Sequence, residues 1–351
     1  MSTLKKNLLP SGFYDVLPPT ARQETQVLHA LLSCFESFGY EQVTPPLMEF
    51  EESLLSGSSA ALATKTFRVM DPLTQKMMGF RADITGQIGR IAASRLADAP
   101  RPLRLSYAGR VLQVKAEALK SERQLLQAGF ELIGVNSAFA DAEVMLLAVE
   151  SLKRVGITDI TIDINVPVLV SAILDGLGTK AATSMKDAIH RKDASRIPDG
   201  VKDKEAITTL MTSSGDIASA LSVLGAASMP DYVRAYASRI EAVCTQLATW
   251  LPNIPITLDA LESRGHEYYS GLSFSIFAKG LRHELGRGGR YQLQVDEDTS
   301  WDAAGYTLYV THLMALLPTL TPHKVKIVAA DMPLAQIQKL HEEGFVTIWK
   351  E

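Results

Sequence analysis

The sequence predicts an α+β fold, an antiparallel sheet with helices on one side, interrupted in its second half by an all-helical block. Three observations predict it. Runs with period-two alternation recur on both sides of residues 166–251. Long stretches with helical apolar spacing stand between those runs without the regular βαβ alternation of a parallel sheet. Residues 166–251 themselves are rich in Ala, Ser, Lys and Asp at helical spacing, with few strand signals.

Thr20-x-x-Gln23 has capping-box form, and Val27, Leu28, Leu31, Leu32, Phe35 and Phe38 line one face of the helix that follows, stopped by Gly39. GYEQVTPPLMEF (39–50) turns extended, and Pro45-Pro46 places it at a sheet edge or an interface, because proline cannot donate to a central ladder. Residues 66–70 and 77–80 flank DPLTQ as a hairpin, after which Thr85 reads as the N-cap of a helix over 86–97. Leu103, Leu105 and Tyr107 alternate, as do residues 126–132, and a helix spans about 140–154 before Gly156. ITIDI (160–164) is a strand. Beyond the helical block, PITL and YYSGLSFSIF (268–277) return to strand, GRGGRY (286–291) reads as a sharp turn, and 303–317 as a helix. The expected division is a core of 1–165 and 252–320, a helical insertion over 166–251, and a short C-terminal piece over 321–351.

The 351 residues suit about two domains, or one large core carrying an insertion. With 46% hydrophobic and 21% charged residues, the chain buries a sizeable core without a metal or crosslink. A net charge of −4 argues against a protein whose main work is neutralising nucleic-acid phosphates. Cys34 and Cys244 lie in helical segments and read as reduced, structural thiols of a cytoplasmic protein. No signal peptide and no run of about 18 apolar residues is present, so the expectation is a soluble chain without a membrane partner.

In LLQAGFELIG (125–134), Leu126, Ala128, Phe130 and Leu132 point to one face, Gln127, Gly129 and Glu131 to the other. A carboxylate and an amide flanking a glycine suit a small ligand with donor groups, although the same pattern fits the wet face of a half-exposed strand. In FRADITGQIGR (80–90), Asp83 and Thr85 sit where a strand becomes a helix. They suit an ammonium group, and the helix N-terminus suits a carboxylate, which together describe a free amino acid; capping alone explains the spacing equally simply. RGHEYYSG (264–271) joins Arg264 to Tyr268 and Tyr269, either a pocket wall or ordinary sheet formers. No HExxH, CxxC or GxSxG occurs, and GRGGRY lacks phosphate-loop spacing.

Taken in order, LPSGFYDVLPP, GYEQVTPPLMEFEESLLSG, FRADITGQIGR, QAGFELIG, EYYSGLSF and GRGGRY resemble the core of class II aminoacyl-tRNA synthetases, specifically the histidyl enzymes and their non-synthetase relatives, from about Leu8 to Leu317. The resemblance implies a class II synthetase-like antiparallel sheet flanked by helices. It also implies a histidine site in which Asp83 (glutamate in the synthetases) and Thr85 hold the α-amino group. Gln127 and Glu131 line the pocket, Arg264 matches a catalytic arginine, and Tyr268 and Tyr269 surround the imidazole. It breaks at the ATP clamp: Gln113, Ser121 and His312 stand where the synthetases carry arginines, and fixed cations are what stabilise charge on phosphates during adenylation. His266-Glu267 also replaces the usual Leu-Asp.

The sequence accordingly looks more like the regulatory subunits of ATP phosphoribosyltransferase. That resemblance implies a chain with no catalytic residues, cofactor or metal of its own. Its partners would be the short-form catalytic subunit, a second copy of itself within a hetero-octamer, and L-histidine as effector. The rival expectation is a ligase that adenylates an amino acid with Arg110, Lys115 or Arg123 as compensating cations.

Overall fold

The computed structural model describes residues 8–56, 60, 62–116, 121–262, 267–296 and 298–350. The first half runs α1 (Thr20–Ser37), β1 (Glu41–Gln42), β2 (Met48–Phe50), α2 (Glu51–Leu54), β3 (Arg68–Met70), β4 (Met77–Phe80), α3 (Thr85–Ser94), β5 (Leu103–Leu112), β6 (Gln124–Ile133), α4 (Ala138–Arg154) and β7 (Ile160–Asn165). Then come α5 (Pro167–Leu174), α6 (Thr179–Arg191), α7 (Lys204–Thr212), β8 (Gly215–Asp216), α8 (Ile217–Leu224) and α9 (Asp231–Trp250). The chain closes with β9 (Ile256–Asp259), β10 (Tyr269–Ala278), β11 (Gly286–Gln294), β12 (Ser300–Tyr309), α10 (Val310–Leu313), β13 (Lys324–Val328), α11 (Leu334–Glu342) and β14 (Phe345–Trp349).

Among the described residues the main sheet has the order β1-β5-β6-β12-β11-β10-β7-β9-β8. Its central pairs are antiparallel, but β1 runs parallel to β5 and β7 parallel to β9, so the sheet is mixed towards its edges. Pro45-Pro46 follows β1, the edge strand, where a missing N–H costs the ladder nothing. The hairpin of β3 and β4 pairs further with β2 in a separate small sheet. β13 and β14 form a parallel pair joined by α11.

The apolar stripes decide the layers. Leu31 and Phe35 of α1 and Leu147 of α4 share one buried cluster with Leu126, Phe130 and Leu132 of β6. The Phe130 ring lies 5.0 Å from Phe35 and 5.1 Å from Tyr40; each such side chain removed from water contributes about 1.5–3 kcal/mol. Buried residues of the 166–251 segment, Met185, Ile207, Leu224 and Ile240 among them, belong to the same cluster. Helices are not confined to one side. Ile88 and Ala92 of α3 cover the opposite face, against Leu105, Tyr107, Ile133 and Tyr291.

Several sequence expectations need correction. α1 has Pro19 at its N-cap, which carries no side-chain acceptor, and the Gln23 amide donates to the Pro318 carbonyl at 2.8 Å, so no capping box forms. GRGGRY is the first part of strand β11, not a turn. Its glycines are there for contact across the sheet: a Cβ on Gly288 would sit 2.4 Å from the Gly305 carbonyl and 2.7 Å from the Phe274 ring, and one on Gly286 2.6 Å from the Tyr306 hydroxyl. The predicted helix over 303–317 is strand β12 through Tyr309, and only Val310–Leu313 form the single turn of α10. Ala303 and Ala304 suit a helix by propensity, whereas Gly305 is small because a Cβ there would meet Glu131 and the Phe130 carbonyl.

Candidate functional site

The turn from β4 into α3 is set by Arg81, a buried guanidinium that donates to the carbonyls of Pro45 (2.9 Å) and Arg110 (2.8 Å). This anchors the three residues that follow. The Asp83 carboxylate accepts from the Thr85 backbone N–H at 2.8 Å, so Asp83 supplies the cap that the sequence suggested for Thr85, and Thr85 is the first helical residue. Gln127, 0% exposed, closes the arrangement from below: its amide N–H₂ donates to Asp83 at 2.8 Å and its oxygen accepts from the Ile84 N–H at 3.3 Å. Two N–H groups near the helix start are therefore already taken. Gln127 acts on the site through Asp83, with its own side chain enclosed.

Glu131, two residues further along the same face, is 1% exposed. Water does not bathe this face of β6, which removes the half-exposed-strand alternative. Glu131 accepts hydrogen bonds from the hydroxyls of Tyr291 (2.9 Å) and Tyr107 (3.4 Å). Tyr107 also bonds Thr307 (2.8 Å) and Thr85 (3.1 Å). The room that Gly129 leaves is filled by Tyr107, whose hydroxyl lies 2.4 Å from where a Gly129 Cβ would be. Burial pushes the Glu131 carboxyl up to about 8, against the pull of its hydroxyl donors and with Asp83 pushing further upward. Burial likewise holds Tyr107, Tyr268 and Tyr291 far above the usual phenol range, so they remain donors.

Above this floor lies a cavity of about 960 Å³ lined by Asp83, Thr85, Arg90, Tyr268, Tyr269, Arg287, Tyr291, Thr307 and Tyr309, among others. A space of about 30 Å³ lies beside Glu131, bounded also by Thr85, Tyr268, Tyr269, Arg287, Tyr291 and Thr307. Tyr268 stacks on Tyr291 and meets Tyr269 edge-on, both at 5.1 Å. Arg287 pairs with Glu284 at 2.9 Å, and Glu284 in turn accepts from Ser275. The structure thus brings Asp83, Thr85, Glu131, Tyr268 and Tyr269 to one place, with Gln127 behind them; Arg264 lies outside the described residues. Sequence reasoning missed Arg287, Tyr291 and Thr307 because β11 and β12 were read as turn and helix. The alternation Gly286-Arg287-Gly288 was the available signal.

Gly305 faces Glu131 directly across the β6–β12 ladder, and a Cβ there would lie 1.8 Å from a carboxylate oxygen. Gly305→Ala is therefore expected to lower stability by about 1–3 kcal/mol through overpacking and to displace the carboxyl. Urea denaturation at constant m-value reads the first effect and ligand titration the second.

The positions expected to correspond to an ATP clamp do not line this cavity, although the His312 ring lies 5.3 Å from that of Tyr309, which does. Gln113 is buried, and its side-chain oxygen has no hydrogen-bond partner among the described residues. His312 is buried with its ring 4.8 Å from His283, and Ser121 is exposed. The neighbouring cations are engaged: Arg110 with Glu24 at 2.7 Å, and Arg123 with the Gln113 carbonyl and over the rings of Phe13 and Phe67. Lys115 is exposed. Among the described residues, no group of three or more His, Cys, Asp and Glu side chains is placed to hold a metal, and no helix is long and apolar enough to cross a membrane.

Comparison with known proteins agrees with this architecture. The family model described as histidyl-tRNA synthetase matches residues 12–313. The chain is 44% identical to the ATP phosphoribosyltransferase regulatory subunit of Paramagnetospirillum magneticum, covering 97% of this chain and 90% of the relative, and 43% identical to that of Rhodospirillum centenum, covering 97% and 88%. Among solved structures, a protein described as an ATP phosphoribosyltransferase regulatory subunit/histidyl-tRNA synthetase from Bacillus halodurans superposes with a TM-score of 0.85 at 22% identity, covering 100% of this chain and 94% of that one. Histidyl-tRNA synthetase from Nostoc gives 0.79 at 20% identity, covering 98% and 86%. With the synthetase core in place and relatives of this identity over nearly the whole length, the chain belongs to the ATP phosphoribosyltransferase regulatory subunits, on a class II, histidyl-tRNA synthetase-like fold.

Proposed function

We propose that this chain has no catalysis of its own, activates a short-form ATP phosphoribosyltransferase catalytic subunit, and conveys feedback inhibition by histidine on the first step of histidine biosynthesis. The observation that carries the reading is the pairing of a buried polar floor around Glu131, beneath a cavity of about 960 Å³, with Gln113 and His312 where a nucleotide clamp needs cations. In this reading Asp83 and Thr85 take the α-ammonium group, and Glu131 meets the imidazole between Tyr268 and Tyr269. Gln127 fixes Asp83, and Arg264 is a further candidate contact for histidine. Histidine bound there favours one arrangement of the complex, and the coupling is reciprocal: whatever histidine does to the partner's ligand affinity, that ligand does to histidine binding, with about 1–3 kcal/mol sufficient.

The assembly in this reading is a cytoplasmic hetero-octamer of four catalytic and four regulatory chains, the latter paired as synthetases pair, without nucleic-acid or membrane partners. Residues 166–251 are a mainly helical insertion in the core of 1–165 and 252–320, with β8 alone joining the main sheet beside β9, and 321–351 form a separate C-terminal piece. The test is to mix the purified chain with a short-form catalytic subunit. Co-elution, a rise in turnover and inhibition by L-histidine are expected. Failure to associate, with unchanged turnover, would overturn the reading.

A further inference from the structure

Glu131 carries information about which side chain the pocket selects. The described groups facing it are Tyr107 from β5, Tyr291 and Arg287 from β11, Thr307 from β12, Tyr268 and Tyr269 at the start of β10, and Asp83 with Thr85 from the α3 turn. Arg287 is the single cation among them, and it is committed to Glu284 at 2.9 Å. Among the described residues, the carboxyl oxygens themselves accept from neutral hydroxyls. A carboxyl enclosed in this way, beside a space of about 30 Å³, holds its proton, because an ionised carboxylate without a paired cation is costly to bury. The upward displacement of this group to about 8 has the same cause.

We propose that Glu131 meets its ligand as a carboxylic acid, and that its proton remains in the site when an imidazole arrives, held between the carboxyl oxygen and the ring nitrogen. Carboxyl and ring hold that one proton in a single hydrogen bond, O–H···N or, where it crosses, O⁻···H–N⁺, and no proton passes to solvent. This rests on reading the site as a histidine pocket, and it makes Glu131 the specificity-determining residue. A ring nitrogen with a free pKa near 6.5 accepts the proton. Amide and hydroxyl side chains offer no basic atom. A guanidinium or ammonium brings its own charge and must expel the proton to water, a penalty of about tenfold in affinity at pH 7 for a group that titrates one unit higher.

The test is the proton count of binding, from calorimetric titration of L-histidine into the full chain in buffers of different ionisation heat, with equilibrium dialysis as an independent measure of affinity. At pH 7 a protonated Glu131 and a mostly neutral free imidazole already hold the one proton of the complex, so a count within about 0.2 of zero is expected, rising towards one proton taken up by about pH 8.5. Uptake near 0.8 at pH 7 would mean that the empty site is already ionised. Release near one would mean that the carboxyl proton is discarded. Either count, with binding intact, overturns this inference and leaves the histidine reading standing. No binding by either method at any pH overturns both.

Discussion

Glu131→Gln is expected to weaken L-histidine binding about a hundredfold while making the empty chain more stable at pH 8 than the parent. Glutamine keeps the shape of the carboxyl but supplies neither the proton nor the charge, and a charge-assisted hydrogen bond in a buried site is worth about 1.5–3 kcal/mol. The stability gain follows from linkage. In the folded chain Glu131 keeps its proton up to about pH 8, whereas in the unfolded chain it ionises near the ordinary glutamate value of about 4.3. Between those values the folded state binds more protons than the unfolded state, so this group's contribution to stability falls as pH rises, by at most about 1.4 kcal/mol per unit. Glutamine has no such slope. Urea unfolding of both chains should diverge in the variant's favour from pH 5 to pH 8, and parallel curves would show that Glu131 is already ionised when the site is empty.

Asp141→Ala is expected to cost about 3–5 kcal/mol, the scale of breaking a buried ion pair from one side. Asp141 of α4 is 4% exposed and Arg290 of β11 is 2% exposed. The guanidinium places Nη2 at 2.6 Å and Nε at 2.9 Å from one carboxylate oxygen, and Arg239 of α9 lies 2.7 Å from the other. The substitution leaves Arg290 bonded to the Val135 carbonyl, 2.8 Å away, too little for a buried charge. The effect should reach the pocket, since Arg290 precedes Tyr291, the closer of the hydroxyl donors to Glu131. A lower urea midpoint at unchanged m-value, with weaker histidine binding, is the expected result. A loss below about 1 kcal/mol would mean that this cluster does not hold β11 in place.

Local periodicity explains what was readable in advance. The stripe from Val27 to Phe35, the alternation in β6 and the apolar spacing of α4 each state their own burial, because the neighbours that bury them demand one face only. Strands β11 and β12 fail that rule. Their small residues answer to contacts across the sheet, as when Gly288 admits Phe274 and Gly305 admits Glu131, and such demands leave no short-range pattern. The same blindness concealed Arg287 and Tyr291 as pocket residues. Asp83, Thr85 and Glu131 were visible as chemistry in the wrong detail: which of the first two caps α3, and what occupies the space over Gly129, depend on Gln127 and Tyr107 arriving from neighbouring strands. The Asp141–Arg290 pair spans 149 residues and has no signature in either segment alone.

An amino-acid pocket without cations to grip a nucleotide should bind its ligand and leave it unadenylated. Histidine-dependent exchange of pyrophosphate into ATP, measured on the purified chain at histidine concentrations shown by calorimetry to saturate it, tests this directly. No exchange above the protein-free control is expected. Exchange that scales with chain concentration and disappears in Glu131→Gln would contradict it, since it would come from this pocket and not from a contaminating synthetase.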